Sequence, residues 1–85
     1  MSETRDIRIK RLQMRAMRRG IKEMDLILSA YANRTLNAMD DARLDLFDAL
    51  LNENDQDLYQ WVTGQVASPD RFADLLADIS QTFQK

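Results

Sequence analysis

The sequence predicts an all-α protein, a compact five-helix bundle formed by a single domain over residues 1–85. Only two glycines and one proline interrupt these 85 residues. Apolar residues recur at the i, i+3, i+4, i+7 spacing of amphipathic helices, and runs that alternate polar and β-branched residues are missing. Because each such helix must bury its apolar face, short helices with short connections are expected to pack against one another.

The first two helices are predicted on either side of Gly20. A helix over roughly residues 4–18 carries a thin apolar stripe of Ile9, Leu12 and then Met14 or Met17. Gly20 permits a conformation that most residues avoid, so it is expected to end this helix or to open the next. The second helix, roughly residues 21–33, has one apolar face that is expected to be buried, made of Met24, Ile27, Leu28 and Tyr31.

The third helix is predicted to begin at Asn37, a favourable N-cap residue, and to end near Leu51. Asp40, three residues after Asn37, completes an arrangement that resembles a capping box. The residues expected to face inward are Leu44, Phe47, Leu50 and Leu51.

Two further helices are predicted in the last third of the chain. Asn54 or Asp55 caps a short fourth helix, and Gly64 is placed to stop it. Ser68 as N-cap and Pro69 as first helical residue then start the fifth helix. The expected inward residues are Leu58, Trp61 and Val62 in the fourth helix and Phe72, Leu75, Leu76, Ile79 and Phe83 in the fifth. Whether Tyr59 and Trp61 belong to the core or to an interface stays open.

The composition excludes most routes to catalysis, because the chain has no cysteine and no histidine. No disulfide, thiolate metal site or thiol nucleophile is available, and the commonest general base and zinc ligand are missing. No apolar run approaches the roughly 20 residues that span a bilayer, and the N-terminus lacks the apolar core of a secretory signal. We therefore expect a cytoplasmic protein that recognises a partner rather than transforms a substrate, without bound metal or membrane insertion.

Charge is divided unevenly along the chain. Residues 1–24 carry eight cations against three acids, a net charge of +5, whereas residues 25–85 carry four cations against eleven acids, a net charge of −7. The basic first helix is consistent with an acidic protein partner, with nucleic-acid phosphates or with a solvated face. Nucleic acid is disfavoured because the acidic remainder repels phosphate and residues 1–24 contain no aromatic side chain.

Two groups of acidic residues are better explained by helix starts than by chemistry. A calcium loop begun at Glu53 would need glycine and glutamate where Leu58 and Gly64 stand. Asp40 and Asp41 precede a predicted helix, where carboxylates meet the positive end of the helix dipole.

The segment Arg19-Gly20-Ile21-Lys22-Glu23 is the strongest candidate for a binding site. Gly20 lets another backbone approach closely, and Arg19 and Glu23 present opposite charges beside it. In the alternative interpretation, Glu23 serves only the helix dipole or pairs locally with Arg19. From these residues alone, both interpretations stay open.

At this segment the chain resembles the SdhE (YgfY-like) family of succinate dehydrogenase flavinylation factors, whose hallmark is an Arg-Gly-x-x-Glu motif. The similarity extends over roughly residues 8–64. Besides the motif it includes Lys10-Arg11-Leu12, Arg15, Met24-Asp25, Phe47, Leu50-Leu51 and Asp55-x-Asp57-Leu58-Tyr59-x-Trp61.

The resemblance implies an assembly factor, not an enzyme in its own right and without catalytic residues. It binds the flavoprotein subunit of succinate dehydrogenase, and for some members that of fumarate reductase. Such a factor promotes covalent attachment of FAD to a histidine of this client, so that the FAD belongs to the client and no cofactor is tightly bound by the factor. Carried over to this chain, the partner-binding residues are Arg19, Gly20 and Glu23, with Asp25 as a further candidate. The main alternative is a helical adaptor or antitoxin-like inhibitor of a membrane-associated partner; a nucleic-acid-binding bundle ranks third.

Overall fold

Five α-helices and two single 3-10 turns make up the computed structural model, which describes residues 4–17 and 19–83. The helices are α1 (Arg5–Ala16), α2 (Lys22–Thr35), α3 (Asp41–Leu51), α4 (Asp55–Val62) and α5 (Ala73–Phe83). The 3-10 turns are Leu36–Ala38, between α2 and α3, and Asp70–Phe72, directly before α5. No strand occurs among the described residues, and the all-α prediction is confirmed.

The core is formed by the inward faces of all five helices. Tyr31, Phe47 and Phe72 are its largest fully buried side chains. Nearly every residue predicted to face inward from α2 to α5 is buried, namely Met24, Ile27, Leu28, Tyr31, Leu44, Phe47, Leu50, Leu51, Leu58, Val62, Phe72, Leu75, Leu76 and Ile79. Trp61 and Tyr59 are partly buried and pack against this core, with the Trp61 and Phe72 ring centroids 6.4 Å apart. The side chain of Phe83 and the whole of Arg18 lie outside the described residues.

The apolar stripe of α1 differs from the prediction at its C-terminal end. Ile9 and Leu12 are buried as expected, but the third buried residue is Ala16. Met14 and Met17 are 64% and 48% exposed, so their predicted inward positions are wrong. Ile9, Leu12 and Ala16 follow one face at steps of three and four residues, whereas Met14 lies on another face and Met17 caps the helix from outside.

The start of α3 is three residues later than Asn37. Asp40 is the N-cap, and its Oδ1 accepts a hydrogen bond from the backbone N–H of Arg43 at 2.8 Å. Asn37 instead lies within the 3-10 turn that follows α2. Leu36 is completely buried in that turn. The chain therefore makes one extra turn before α3 begins.

The ends of α4 and the start of α5 are set by three residues. Asn54 caps α4, accepting a hydrogen bond from the N–H of Gln56 at 2.8 Å, and Gly64 follows α4 with a left-handed φ of +81°. Gly64 therefore stops the helix as predicted. The predicted start of α5 is wrong: Pro69 has an extended ψ of 144° and lies outside the helix, at the start of a 3-10 turn that has no side-chain cap. The 3-10 turn follows Pro69 and precedes α5, and it places Phe72 in the core.

A row of ion pairs joins α1 to α3 along their lengths. The pairs are Arg5–Asp41 (3.4 Å), Arg8–Asp45, Arg11–Asp48 (3.5 Å) and Arg15–Asp48, and Arg15 also donates to the Asn52 side chain at 2.7 Å. Because low-numbered arginines meet the start of α3 and Arg15 meets its end, the two helices run parallel. The acidic surface that the basic first helix meets is therefore α3 of the same chain.

Candidate functional site

Arg19, the first residue of the Arg-Gly-x-x-Glu motif, is directed into the protein. Its side chain is only 12% exposed, and its Nε donates a hydrogen bond to Oδ1 of Asp55 at 2.6 Å. Nη1 donates to the backbone carbonyl of Leu51 at 3.0 Å, and Nη2 to that of Glu53 at 3.2 Å. The guanidinium charge is thus committed to contacts within the chain.

These contacts join the end of α3 to the start of α4. Leu51 is the last residue of α3, where carbonyl groups lack helical partners and a cation is favourable. Asp55 is the first residue of α4, where a carboxylate is favourable. Arg19 therefore meets the negative end of one helix dipole and, through Asp55, the positive end of the next.

Gly20 contacts the same carboxylate. Its backbone N–H donates a hydrogen bond to Oδ2 of Asp55 at 2.5 Å, so the two oxygens of Asp55 accept from two successive residues of the motif. A Cβ atom on Gly20 would lie 3.0 Å from this Oδ2, closer than an ordinary van der Waals contact. Gly20 lies between α1 and α2 as expected, but the left-handed φ that glycine permits occurs at Gly64 and not at Gly20. Glycine is favoured there because a carboxylate approaches its backbone.

Glu23, the last residue of the motif, points away from these contacts. It lies in the first turn of α2 and is exposed. Within residues 4–17 and 19–83 it forms neither a hydrogen bond nor an ion pair, so the predicted alternative of a local pair with Arg19 is not found there. Its carboxylate is available to a partner, although its position also suits the helix dipole.

Asp25 is less accessible than Glu23. It is partly buried, and its Oδ1 accepts a hydrogen bond from the Ser29 hydroxyl at 3.2 Å. The same hydroxyl lies 3.5 Å from the carbonyl oxygen of Ala16, the last residue of α1. Asp25 therefore belongs to the contact between α1 and α2.

An exposed leucine continues the outer side of the motif. Leu26, one turn after Glu23, is 64% exposed. Both residues line a shallow groove between α2 and α5, together with Ile27, Ala30 and Thr82. We call the exposed residues Gly20, Glu23 and Leu26 the motif face; it combines an accessible backbone, a carboxylate and an apolar side chain.

The described residues show no metal centre and no membrane helix. No group of three or more acidic side chains in residues 4–17 and 19–83 is arranged to hold a metal ion. No helix in the same part of the chain is long and apolar enough to cross a membrane.

The four predicted site residues thus divide into two pairs. Gly20 and Glu23 are exposed, whereas Arg19 and Asp25 are engaged inside the fold. Asp55 contacts both Arg19 and Gly20, but the sequence predicts it only as a helix cap and as part of the family similarity. That similarity is the one sequence signal that points to Asp55, because no local pattern connects it to a motif 35 residues earlier.

Comparison with known proteins gives a consistent result. The family model described as flavinator of succinate dehydrogenase matches residues 10–83. Relatives named succinate dehydrogenase assembly factor 2, mitochondrial, include a Meyerozyma guilliermondii protein, 40% identical over 98% of this chain and 62% of its own length. A Mycosarcoma maydis protein is 43% identical over 85% of this chain and 30% of its own length. A Danio rerio protein is 35% identical over 98% of this chain and 54% of its own length. This chain therefore spans less than two thirds of each of these relatives.

Proposed function

This chain belongs to the family of flavinators of succinate dehydrogenase, and we propose that it binds the flavoprotein subunit of that enzyme and promotes covalent attachment of FAD to it. The observation that carries the proposal is the family match over residues 10–83, which contains the whole Arg-Gly-x-x-Glu motif. The relatives are named as assembly factors of succinate dehydrogenase. Action on the fumarate reductase flavoprotein stays a prediction.

The motif face has the chemistry that docking on another protein needs. The Glu23 carboxylate has no partner among the described residues, so a cationic group of the client can form a charge-assisted hydrogen bond with it. Leu26 offers apolar surface that water now covers, and burying it would favour association by about 25 cal/mol per Å². A carboxylate beside an exposed leucine therefore favours a client surface with an apolar patch next to a cation.

The proposed mechanism is positioning and not chemistry by this chain. The chain has no histidine and no cysteine to act as base or nucleophile. Holding reacting groups in the correct geometry can supply roughly 7–11 kcal/mol of a barrier. In this proposal the factor holds the flavin-loaded client in one conformation, and the attachment uses the client's own groups. The FAD is bound by the client, and the factor itself carries no tightly bound cofactor.

The cellular compartment stays a prediction. The names of the relatives place those proteins in mitochondria. For this chain we retain a cytoplasmic location as an expectation that fractionation of the native cells would check.

The proposal is tested by producing the flavoprotein subunit with and without this chain and measuring covalent flavin by in-gel fluorescence. We expect the chain to co-purify with the subunit and to raise its covalent flavin. Glu23→Gln and Leu26→Ala should each weaken binding by about tenfold, the effect of losing roughly 1.4 kcal/mol. If the unaltered chain neither binds the subunit nor raises its flavin, the proposed function is wrong.

Matched controls separate docking from general surface effects. Asp74→Asn removes an exposed acid from the first turn of α5, as Glu23→Gln does in α2. Val66→Ala shortens another exposed apolar side chain, 47% exposed, outside the motif face. Both controls should bind like the unaltered chain. Recovery of a membrane-associated protein in place of the flavoprotein subunit would favour the adaptor or antitoxin-like alternative.

A further inference from the structure

We propose that Asp55 is a positioning residue for docking: by holding Arg19 and Gly20 it presents Glu23 and Leu26 to the client. The inference rests on the proposed function and divides the Arg-Gly-x-x-Glu motif into an inner and an outer half. Arg19 then acts from inside the fold, through Asp55, and Glu23 and Leu26 are the residues that touch the flavoprotein subunit.

The first argument is the geometry of the Asp55 carboxylate. Oδ1 accepts from the Arg19 Nε at 2.6 Å and Oδ2 accepts from the Gly20 N–H at 2.5 Å. The side chains of Asp55 and Arg19 are 17% and 12% exposed, so little water competes for these hydrogen bonds. Charge-assisted hydrogen bonds in such surroundings are short and strong, and two of them fix the chain in both position and direction.

The second argument is that α2 lacks a cap of its own. Its N-cap residue is Ile21, and no side chain supplies a capping hydrogen bond to the start of the helix. The first helical hydrogen bond there runs from the Asp25 N–H to the Ile21 carbonyl oxygen at 3.0 Å. The position of this helix start is therefore set by the neighbouring Gly20, which Asp55 holds, and by the packing of Ile21 on the core.

The third argument is the short distance along the chain from the held residue to the docking residue. Glu23 follows Gly20 by three residues, and Leu26 follows by six. Only Ile21 lies between Gly20 and the first residue of α2, and Glu23 is the second residue of that helix, so a displacement of Gly20 is expected to move Glu23. Because docking groups must be held within about 0.5 Å of the productive geometry, a small shift of this loop is expected to lower affinity.

Two other roles of Asp55 make different predictions. If the Asp55–Arg19 pair only stabilises the bundle, folded variants should dock normally. If Arg19 leaves Asp55 and contacts the client itself, the two residues act independently. The factor by which the double variant weakens binding should then equal the product of the factors for the two single variants. In a positioning role both changes break the Arg19–Asp55 contact, so the double variant should bind about as weakly as Asp55→Asn alone.

The test is a double-mutant cycle on affinity for the full flavoprotein subunit, measured at a temperature at which circular dichroism shows every variant folded. Arg19→Gln and Asp55→Asn should each weaken binding by about tenfold, and the double variant by about the same factor. Combining Glu23→Gln with Asp55→Asn should weaken binding further, because Glu23 makes its own contact. Asp45→Asn, which breaks the more exposed ion pair with Arg8 away from the motif, is the control and should bind normally.

A second variant keeps the inference testable if Asp55→Asn does not fold. Gly20→Ala retains both charges but places a Cβ 3.0 Å from Oδ2, and it should also weaken docking severalfold. Normal docking by folded Asp55→Asn or by Gly20→Ala overturns the inference, and so does a loss of about 100-fold in the Arg19/Asp55 double variant. If those results accompany normal binding of the unaltered chain and weak binding of Glu23→Gln, the proposed function stands. If the unaltered chain does not bind the subunit, both are wrong.

Discussion

The Tyr31 hydroxyl donates a hydrogen bond to Oδ2 of Asp78 at 2.6 Å and so joins α2 to α5. Tyr31 is otherwise fully buried, and its ring lies 6.0 Å from that of Phe47 between centroids. The pKa of Tyr31 is raised from 10.0 to about 12. Burial is the largest cause, and the hydrogen bond to Asp78 is the next. The neutral phenol is thus favoured in the folded state.

The raised pKa of Tyr31 predicts a loss of stability at high pH. A tyrosine that ionises at higher pH in the folded state contributes stability below its unfolded pKa and loses it as pH rises toward the folded one. Between about pH 9 and pH 11 the free energy of unfolding should fall by about 1 kcal/mol more in the unaltered chain than in Tyr31→Phe. Urea unfolding of both proteins across this range measures the difference. Parallel pH curves for the two proteins would contradict the prediction.

The ion pairs between α1 and α3 predict a stability that depends on salt. Asp48 forms ion pairs with Arg11 and Arg15, and its side chain is 29% exposed. Asp48→Asn should lower the free energy of unfolding by roughly 0.5–1 kcal/mol at low ionic strength, and by less in about 1 M NaCl, where the Debye length is short.

Asp41→Asn is the comparison for this prediction. The Asp41 side chain is 86% exposed and pairs with Arg5 at 3.4 Å, so its loss should change stability by no more than a few tenths of a kcal/mol. An Asp48→Asn effect that is equally small, or that does not weaken with salt, would show that the row of ion pairs contributes nothing measurable.

The two glycines are predicted to tolerate alanine differently. Gly64→Ala meets no neighbouring atom but must keep a φ of +81°, so about 1 kcal/mol of stability should be lost with docking unchanged. Gly20→Ala instead disturbs the Asp55 carboxylate, and both stability and docking should fall. Thermal unfolding and binding to the flavoprotein subunit, measured on both variants, distinguish the effects. Equal docking by the two variants would contradict this assignment.

The corrected face of α1 predicts which apolar residue of that helix matters for folding. Leu12 is fully buried, and Leu12→Ala should cost about 2–5 kcal/mol of unfolding free energy. Met14 is 64% exposed, and Met14→Ala should change stability by less than about 0.5 kcal/mol. Denaturant midpoints of the two variants provide the measurement. A large loss in Met14→Ala would restore the original sequence-based prediction of an inward methionine.

Much of the fold was predictable because helix periodicity is local. The buried faces of α2 and α3 follow directly from apolar spacing, and Gly64 ends α4 as expected. The errors occur where local signals compete. Asn37 and Asp40 are both good N-caps, and the burial of Leu36 decided between them. Apolar spacing alone does not show whether Met14 or Ala16 is the last inward residue of α1. In the packed structure the smaller Ala16 is buried and Met14 is exposed.

The helical class, the separation of basic and acidic segments and the Arg-Gly-x-x-Glu motif all follow from the order of amino acids. Which of those charges face each other depends on how the helices pack. The arginines of α1 meet acids 33–37 residues away, and Arg19 meets Asp55 across 36 residues. Periodicity along one helix carries no information about such distances, which depend on how the packed cores of different helices align. The same packing leaves only 12% of the Arg19 side chain exposed and leaves Glu23 on the surface, although the motif carries both charges.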